Sequence, residues 1–246
     1  VVGDQRIRID TAALRHLGNG LAWGPCAFFN QDGAPDPYCT RGALQRVTDR
    51  LAGVGLTALV GHEMEFVLVG ADGSQLPAAL WAQYGLAGLL EFEGFVSDVV
   101  TAASGSGVAI EQFHPEYGAN QFEISLAPQP PVAAADELVL TRIIVARAAR
   151  RHGLRASVSP VPFVGSVGSG AHQHFSLSRG DLPIFSGGPG ARGMTSEGES
   201  AVAGLLAGLP AAQGVLCGSV LSGLRMQPGY WSGAHNCWGT ENREAA

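Results

Sequence analysis

Two glutamates one residue apart, inside an otherwise apolar run, open the chemistry of this chain: Gly61-His62-Glu63-Met64-Glu65-Phe66. In a strand, alternate residues share a face, so both carboxylates point to the same side of a sheet. Burying one ionised carboxylate costs several kcal/mol, and a second close by protonates unless a cation binds between them. A solvated sheet face is the plain alternative for this pair. Glu116 and Glu123 flank the turn-like Tyr117-Gly118-Ala119-Asn120, so the chain can fold back and add two more carboxylates, the second beside Gln121 and Ser125. In Ala171-His172-Gln173-His174-Phe175-Ser176 the same alternation puts His172, His174 and Ser176 on one face, after the glycine-rich Gly165-Ser166-Val167-Gly168-Ser169-Gly170. Oxygen-rich ligation with one imidazole suits magnesium or manganese better than zinc. Two such ions could clamp nucleotide phosphates during phosphoryl transfer. A set of unrelated surface carboxylates, or a two-metal hydrolase that activates water, also fits the spacing.

The elements that must position these residues alternate along an α+β chain. Residues 1 to about 39 carry short apolar patches separated by Gly, Pro, Asn and Asp, as in strands joined by turns. A domain boundary is expected there, with 1–38 forming one unit and 39–246 the other. Thr40 can cap a helix from Arg41 to about Ala52, ended by Gly53 and Gly55. Leu56 to Gly70 reads as a strand, and Leu89, Phe92, Val96, Val99 and Ala103 mark the buried stripe of one helix. Strands follow at 108–113 and 121–127, a helix at 136–152, strands at 154–159 and 171–177, a loop at 186–193 and a helix at 197–208. The tail from Gly218 to Ala246 reads as loop.

Composition narrows the function classes. The chain has 246 residues, 46% apolar content and a formal charge of −6, enough to bury a sizeable core. All 15 basic residues are Arg, with no broad basic stripe to meet a phosphate backbone, so nucleic acid is not an expected partner. No apolar run approaches the roughly 20 residues needed to span a bilayer and the start lacks a signal-peptide layout, so a cytoplasmic protein without membrane association is expected. Cys26, Cys39, Cys217 and Cys237 form no C-x-x-C pair, which fits reduced thiols. The start at Val1 and the stop at Ala246 in mid-pattern read as a piece cut at both ends, expected to be a poor catalyst alone.

Five ordered segments carry a resemblance to the glutamine synthetase family: Gly61 to Phe66, His114 to Glu123, Gly168 to His174, Arg225-Met226-Gln227-Pro228-Gly229-Tyr230, and Asn242-Arg243-Glu244-Ala245-Ala246. The resemblance implies a partial β-grasp amino-terminal domain, a partial catalytic domain with a curved antiparallel sheet, and a ring-stacked homo-oligomer such as a dodecamer. It implies Glu65, Glu116 and Glu123 as ligands of one Mg2+ or Mn2+ ion, and Glu63 and His172 as ligands of a second. It places Glu111, His174 and Ser176 at the ATP site and Gly168 and Arg225 at the glutamate substrate. Arg243 would face the transferred phosphoryl group, where a planar guanidinium suits phosphate oxygens. The implied reaction is ATP-dependent formation of a γ-glutamyl amide from glutamate and an amine, through a γ-glutamyl phosphate.

Two departures bear on substrates. Where ammonia-using relatives commonly carry an acid after Pro-Gly-Tyr, this chain has Trp231, which offers cation–π surface and no proton acceptor; an organic amine fits better than ammonium. Together with the Cys237-Trp238-Gly239-Thr240-Glu241-Asn242-Arg243 segment, this texture resembles the γ-glutamyl-polyamine and γ-glutamyl-ethanolamide synthetases. Val167 replaces an Asn that many relatives place at the acid substrate. An ammonia-using glutamine synthetase and a non-catalytic relative are the alternative readings; the second has little reason to keep four glutamates and His172 clustered.

Overall fold

In the computed structural model, which describes residues 3–78 and 80–245, the amino-terminal stretch forms two small antiparallel pairs. β1 (Arg6–Ile9) pairs with β4 (Cys26–Phe29), and β2 (Arg15–Gly18) with β3 (Leu21–Trp23). Both pairs are tied to the rest of the chain, the first through the Phe28 amide of β4, which donates to the Cys39 Sγ at 3.4 Å. Leu17 and Trp23 pack on the main core, and the Ser106 hydroxyl donates to the His16 carbonyl at 2.6 Å.

The spine of the molecule is β5 (Leu56–Gly70), a strand of 15 residues. Along one edge it pairs first with β9 (Ala171–Arg179) and then with β8 (Leu154–Ser157); along the other it pairs with β7 (Gln121–Leu126). β6 (Ile110–Pro115) lies outside β7 and β10 (Leu182–Pro183) outside β9, every pairing being antiparallel. The result is a curled half-barrel sheet within a mixed helix and strand fold, as the sequence led us to expect.

Alternation along β5 sorts its residues by chemistry. Met64, Phe66 and Leu68 face the core with Phe122, Ile124 and Leu126 of β7. They pack on Phe95, Val99 and Ala103 of α3 (Glu93–Gly105) and on Leu140, Ile144, Val145 and Ala148 of α4 (Pro131–Arg151). Phe66, fully buried, has Phe95, Phe113 and Phe122 at centroid distances of 6.0–6.3 Å. Each such ring contributes about 1.5–3 kcal/mol by leaving water, so the core holds the sheet from the face opposite Glu63 and Glu65.

Several boundaries differ from those read in the sequence. α1 (Thr40–Gly53) is capped by Cys39, not Thr40: the Cys39 Sγ accepts the Gly42 amide at 3.4 Å. A thiol is a weak acceptor, so preference rules built on hydroxyls point one residue late. The stripe from Leu89 to Ala103 spans two helices, α2 (Leu86–Glu91) and α3, broken at Phe92 with ψ at 29°. α4 starts at Pro131, where a fixed φ and a missing N–H suit the first turn. α5 (Ser196–Leu216), capped by the Thr195 side chain, continues past Pro210 rather than ending near 208. The tail carries a further short helix, α6 (Ser222–Arg225). By length and composition alone α5 is long and apolar enough to cross a membrane, although its apolar residues are interrupted by Pro210 and Gln213. Its hydropathy is spread over Ala and Gly as much as Leu and Val, which is why no apolar block stands out in the sequence. All four cysteines are free thiols.

Candidate active site

Register decides which acidic residues meet. On β5, Glu63 lies opposite Ser125 of β7 and His172 of β9, while Glu65 lies opposite Glu123. Glu123 in turn faces His114 across the β6–β7 pair. Three strands therefore deliver Glu63, Glu65, Glu123 and His172 to one face, and the turn after β6 adds Glu116.

The carboxylates are well occupied at one end and unbalanced at the other. Glu65 Oε2 accepts Gln121 Nε2 at 2.9 Å and the Gly170 amide at 2.8 Å. The same Gln121 amide reaches the Gly168 carbonyl at 2.9 Å, and its oxygen accepts the Gly118 amide at 2.7 Å. Gln121 is fully buried, so one side chain fixes Glu65, the glycine loop and the turn before β7. Glu116 accepts the Tyr117 amide at 3.0 Å and lies 3.1 Å from His114 Nε2. Glu63 is gripped from two sides, with His172 Nδ1 at 3.1 Å and His174 Nε2 at 3.2 Å.

Burial raises the Glu65 carboxyl above its ordinary range, partly offset by the Gly170 amide and the nearby His172. Glu123 is pushed up to about 8 by burial first, then by Glu63, Glu65 and Glu116, with Arg243 opposing. Such a cluster is electrostatically unfinished: four carboxylates share a face, and Arg225 and Arg243 offset them only in part, since burial and mutual repulsion still leave Glu65 and Glu123 raised. A divalent cation is the group that donor set fits. Among the described residues two sets of three bring ligand atoms within 4.8 Å of one another, Glu63 with Glu123 and His172, and His114 with Glu116 and Glu123. Glu123 thus belongs to both, and Glu65, opposite Glu123 on the same face, is held by Gln121 and the Gly170 amide. His114 was not singled out in the sequence; the His-x-Glu spacing 114–116 on a strand end was the available signal.

Beside the cluster lies an open cleft of about 390 Å³, lined among others by Glu63, Glu111, Phe175, His174 and Ser176. The three residues assigned to the nucleotide therefore line one cavity. Glu111 reaches it through a β-bulge, since Ile110 pairs with Leu126 and Gln112 with Ser125, leaving Glu111 without a partner of its own. A bulge re-aims the extra side chain, and sequence alternation cannot reveal it.

The two arginines occupy the tail. Arg225 packs its Cδ on Gly168, where any Cβ would collide with it and stand 2.7 Å from the Pro160 carbonyl. Its Nη1 and Nη2 donate to the carbonyls of Tyr230 (2.7 Å) and Trp231 (3.2 Å), and its buried Nε meets no acceptor among the described residues. Its terminal nitrogens thus serve the following loop. Arg243 is close enough to counter the charge felt by Glu123 and Tyr84. Val167 is half exposed at the mouth of the glycine loop.

A curled antiparallel sheet with a carboxylate–histidine face, flanked by a cleft and an arginine-bearing tail, defines a glutamine synthetase-type catalytic domain. The profile of the glutamine synthetase catalytic domain matches residues 37–246, and the chain belongs to that family. It is 40% identical over 99% of its length to gamma-glutamylpolyamine synthetase GlnA3 of Streptomyces coelicolor, covering 54% of that protein. It is 29% identical to the glutamine synthetase of Thermotoga maritima over 89% of this chain and 51% of that protein. Among solved structures, one titled as a novel glutamine synthase homolog superposes with a TM-score of 0.89 at 33% identity, over 99% of this chain and 58% of the other. GmaS in complex with ADP superposes with a TM-score of 0.82 at 27% identity, over 89% of this chain and 52% of that one. The chain thus spans about half the length of the curated relatives it matches.

Proposed function

We propose that the protein is an ATP-dependent ligase that joins an amine to the side-chain carboxylate of glutamate through a γ-glutamyl phosphate, and that the amine is organic. The observation that carries this reading is the convergence of Glu63, Glu123 and His172 beside the cleft lined by Glu111, His174 and Ser176. Likeness to a named gamma-glutamylpolyamine synthetase over nearly the whole chain supports it, as does likeness to a protein whose structure contains ADP.

Each group has a task in the proposed reaction. Glu63, Glu65, Glu116, Glu123 and His172, with His114 beside Glu116, would hold two Mg2+ or Mn2+ ions, Glu65 being set in place by Gln121 and the Gly170 amide. When bound, such ions neutralise charge on phosphate oxygens and orient them for in-line transfer. Glu111, His174 and Ser176 would bind the nucleotide. Arg225, seated on Gly168, would meet the glutamate substrate. Arg243 would donate to the transferred phosphoryl group, stabilising charge as it develops. The amine then displaces phosphate from the acyl phosphate, forming the C–N bond as the C–O bond breaks and losing a proton to the carboxylate-rich surroundings. We place the enzyme in the cytoplasm as a homo-oligomer.

Phosphate release from ATP is the test, with glutamate and Mg2+ or Mn2+ and with ammonium, ethanolamine, putrescine or spermine as amine. Release that depends on an organic amine is expected. Dependence on ammonium alone would make the protein a glutamine synthetase, and silence with every amine, despite nucleotide binding, would overturn the ligase reading.

A further inference from the structure

The loop after α6 is clamped from two sides. Glu244 accepts the amides of Gly229 (3.0 Å) and Trp231 (2.8 Å), one on each carboxylate oxygen. Arg225 donates to the carbonyls of Tyr230 and Trp231. Glu244 is itself set in place by Asn242, whose Oδ1 accepts the amides of Glu244 (2.8 Å) and Ala245 (3.1 Å). The clamp has a conformational cost to hold: Trp231 stands at φ 51°, where a bulky residue persists only when its surroundings over-determine it.

What the clamp delivers is an aromatic wall. The half-exposed Trp231 indole meets Tyr117 at 5.0 Å and 64°, and Tyr117 meets Tyr84 at 5.9 Å and 84°. Tyr84 rests on His114 at 5.3 Å, and His114 touches Glu116. The wall therefore begins at the carboxylate cluster and runs outward over three rings. Aromatic faces attract organic cations, and carboxylates at one end supply counter-charge. An ammonium ion is too small to touch the cluster and the wall together. An amine carrying a hydrocarbon chain and a second cationic group can touch both.

We infer that Glu244 is a positioning residue for amine selection: by accepting the Gly229 and Trp231 amides it holds Trp231 against Tyr117, so that Tyr84, Tyr117 and Trp231 receive the organic part of a diamine or polyamine. This rests on the reading of the site as one that forms γ-glutamyl amides. Glu244 touches neither glutamate nor phosphate in that scheme and acts through the loop.

The test compares Glu244→Ala, Glu244→Gln and Trp231→Leu with the unmodified protein. Steady-state phosphate release is measured against putrescine and against ATP, and putrescine binding is measured by calorimetry, which reads the wall without catalysis. Glu244→Ala should raise the putrescine KM and Kd about tenfold and move the ATP KM by less than about twofold, a split that general loosening of the fold would not produce. Glu244→Gln keeps one acceptor oxygen and should fall between. Trp231→Leu should match Glu244→Ala, and combining the two should add little, because one acts through the other. Unchanged putrescine binding in folded Glu244→Ala, or in Trp231→Leu should Glu244→Ala not fold, overturns the inference whatever the turnover. Weakened binding in the variants with no turnover in any form keeps the inference and overturns the ligase reading instead.

Discussion

Protons should leave the protein when a divalent cation arrives, and the structure sets how many. Glu123 is held up to about 8 by burial and three neighbouring carboxylates. At pH 7, one unit below that midpoint, about 0.9 of the molecules carry the proton. A cation needs the carboxylate, so binding at pH 7 should expel about 0.9 proton from Glu123, with a smaller addition from Glu65, which burial also raises. Apparent affinity for Mg2+ or Mn2+ should then fall about tenfold for each pH unit below 8. Titration calorimetry in two buffers of different ionisation enthalpy reads the proton count directly, and Glu123→Gln, which cannot be protonated, should lower it by about 0.9. Without the cation the sign reverses for stability. A carboxyl raised in the fold binds more protons folded than unfolded, so metal-free stability should decline as pH rises from the ordinary glutamate value of 4.5 towards 8. Proton release near zero at pH 7, or equal release from Glu123→Gln, would refute the account of the cluster as electrostatically unfinished.

Gly168→Ala should displace Arg225, because the new methyl meets both the Arg225 Cδ and the Pro160 carbonyl; a loss of about 1–3 kcal/mol in urea unfolding and a raised glutamate KM are expected. Gln121→Ala removes the fully buried amide shared by Glu65, Gly168 and Gly118, and should cost about 2 kcal/mol or more by chemical denaturation, since it strands the buried Gly118 N–H and takes one of two donors from the Glu65 carboxylate. Glu137 on α4, raised by burial although it accepts the Ala109 amide at 2.8 Å, adds to the decline of stability above pH 4.5. Glu137→Gln keeps an acceptor for that amide and should flatten the slope of unfolding free energy against pH, which denaturation curves at several pH values would show.

The site-bearing strands were legible because their signal is local. Period-2 spacing put Glu63 with Glu65 and His172 with His174 on shared faces, and β5 has the bounds the β-branched run indicated. Pairings between strands were not legible, since register is set by distant partners: that Glu123 is shared by two ligand sets depends on β6, β7 and β9 together. The bulge that aims Glu111 leaves no periodic trace. Helix boundaries failed where a weaker chemistry did the work, a thiol cap at Cys39 and a proline start at Pro131. Glu244 passed unnoticed because its role is to accept main-chain amides, which any carboxylate near a turn could do.

The two walls of the site are built from different material. Glu63, Glu65, Glu123 and His172 hang on continuous strand ladders, where a slip of one residue would turn every carboxylate into the core. Arg225, Trp231 and Arg243 hang on a tail held by individual side-chain clamps. A protein so divided can inherit one half of its chemistry and improvise the other. Substitutions after α6 would alter the clamped loop one contact at a time and leave the strand register that gathers the carboxylates untouched.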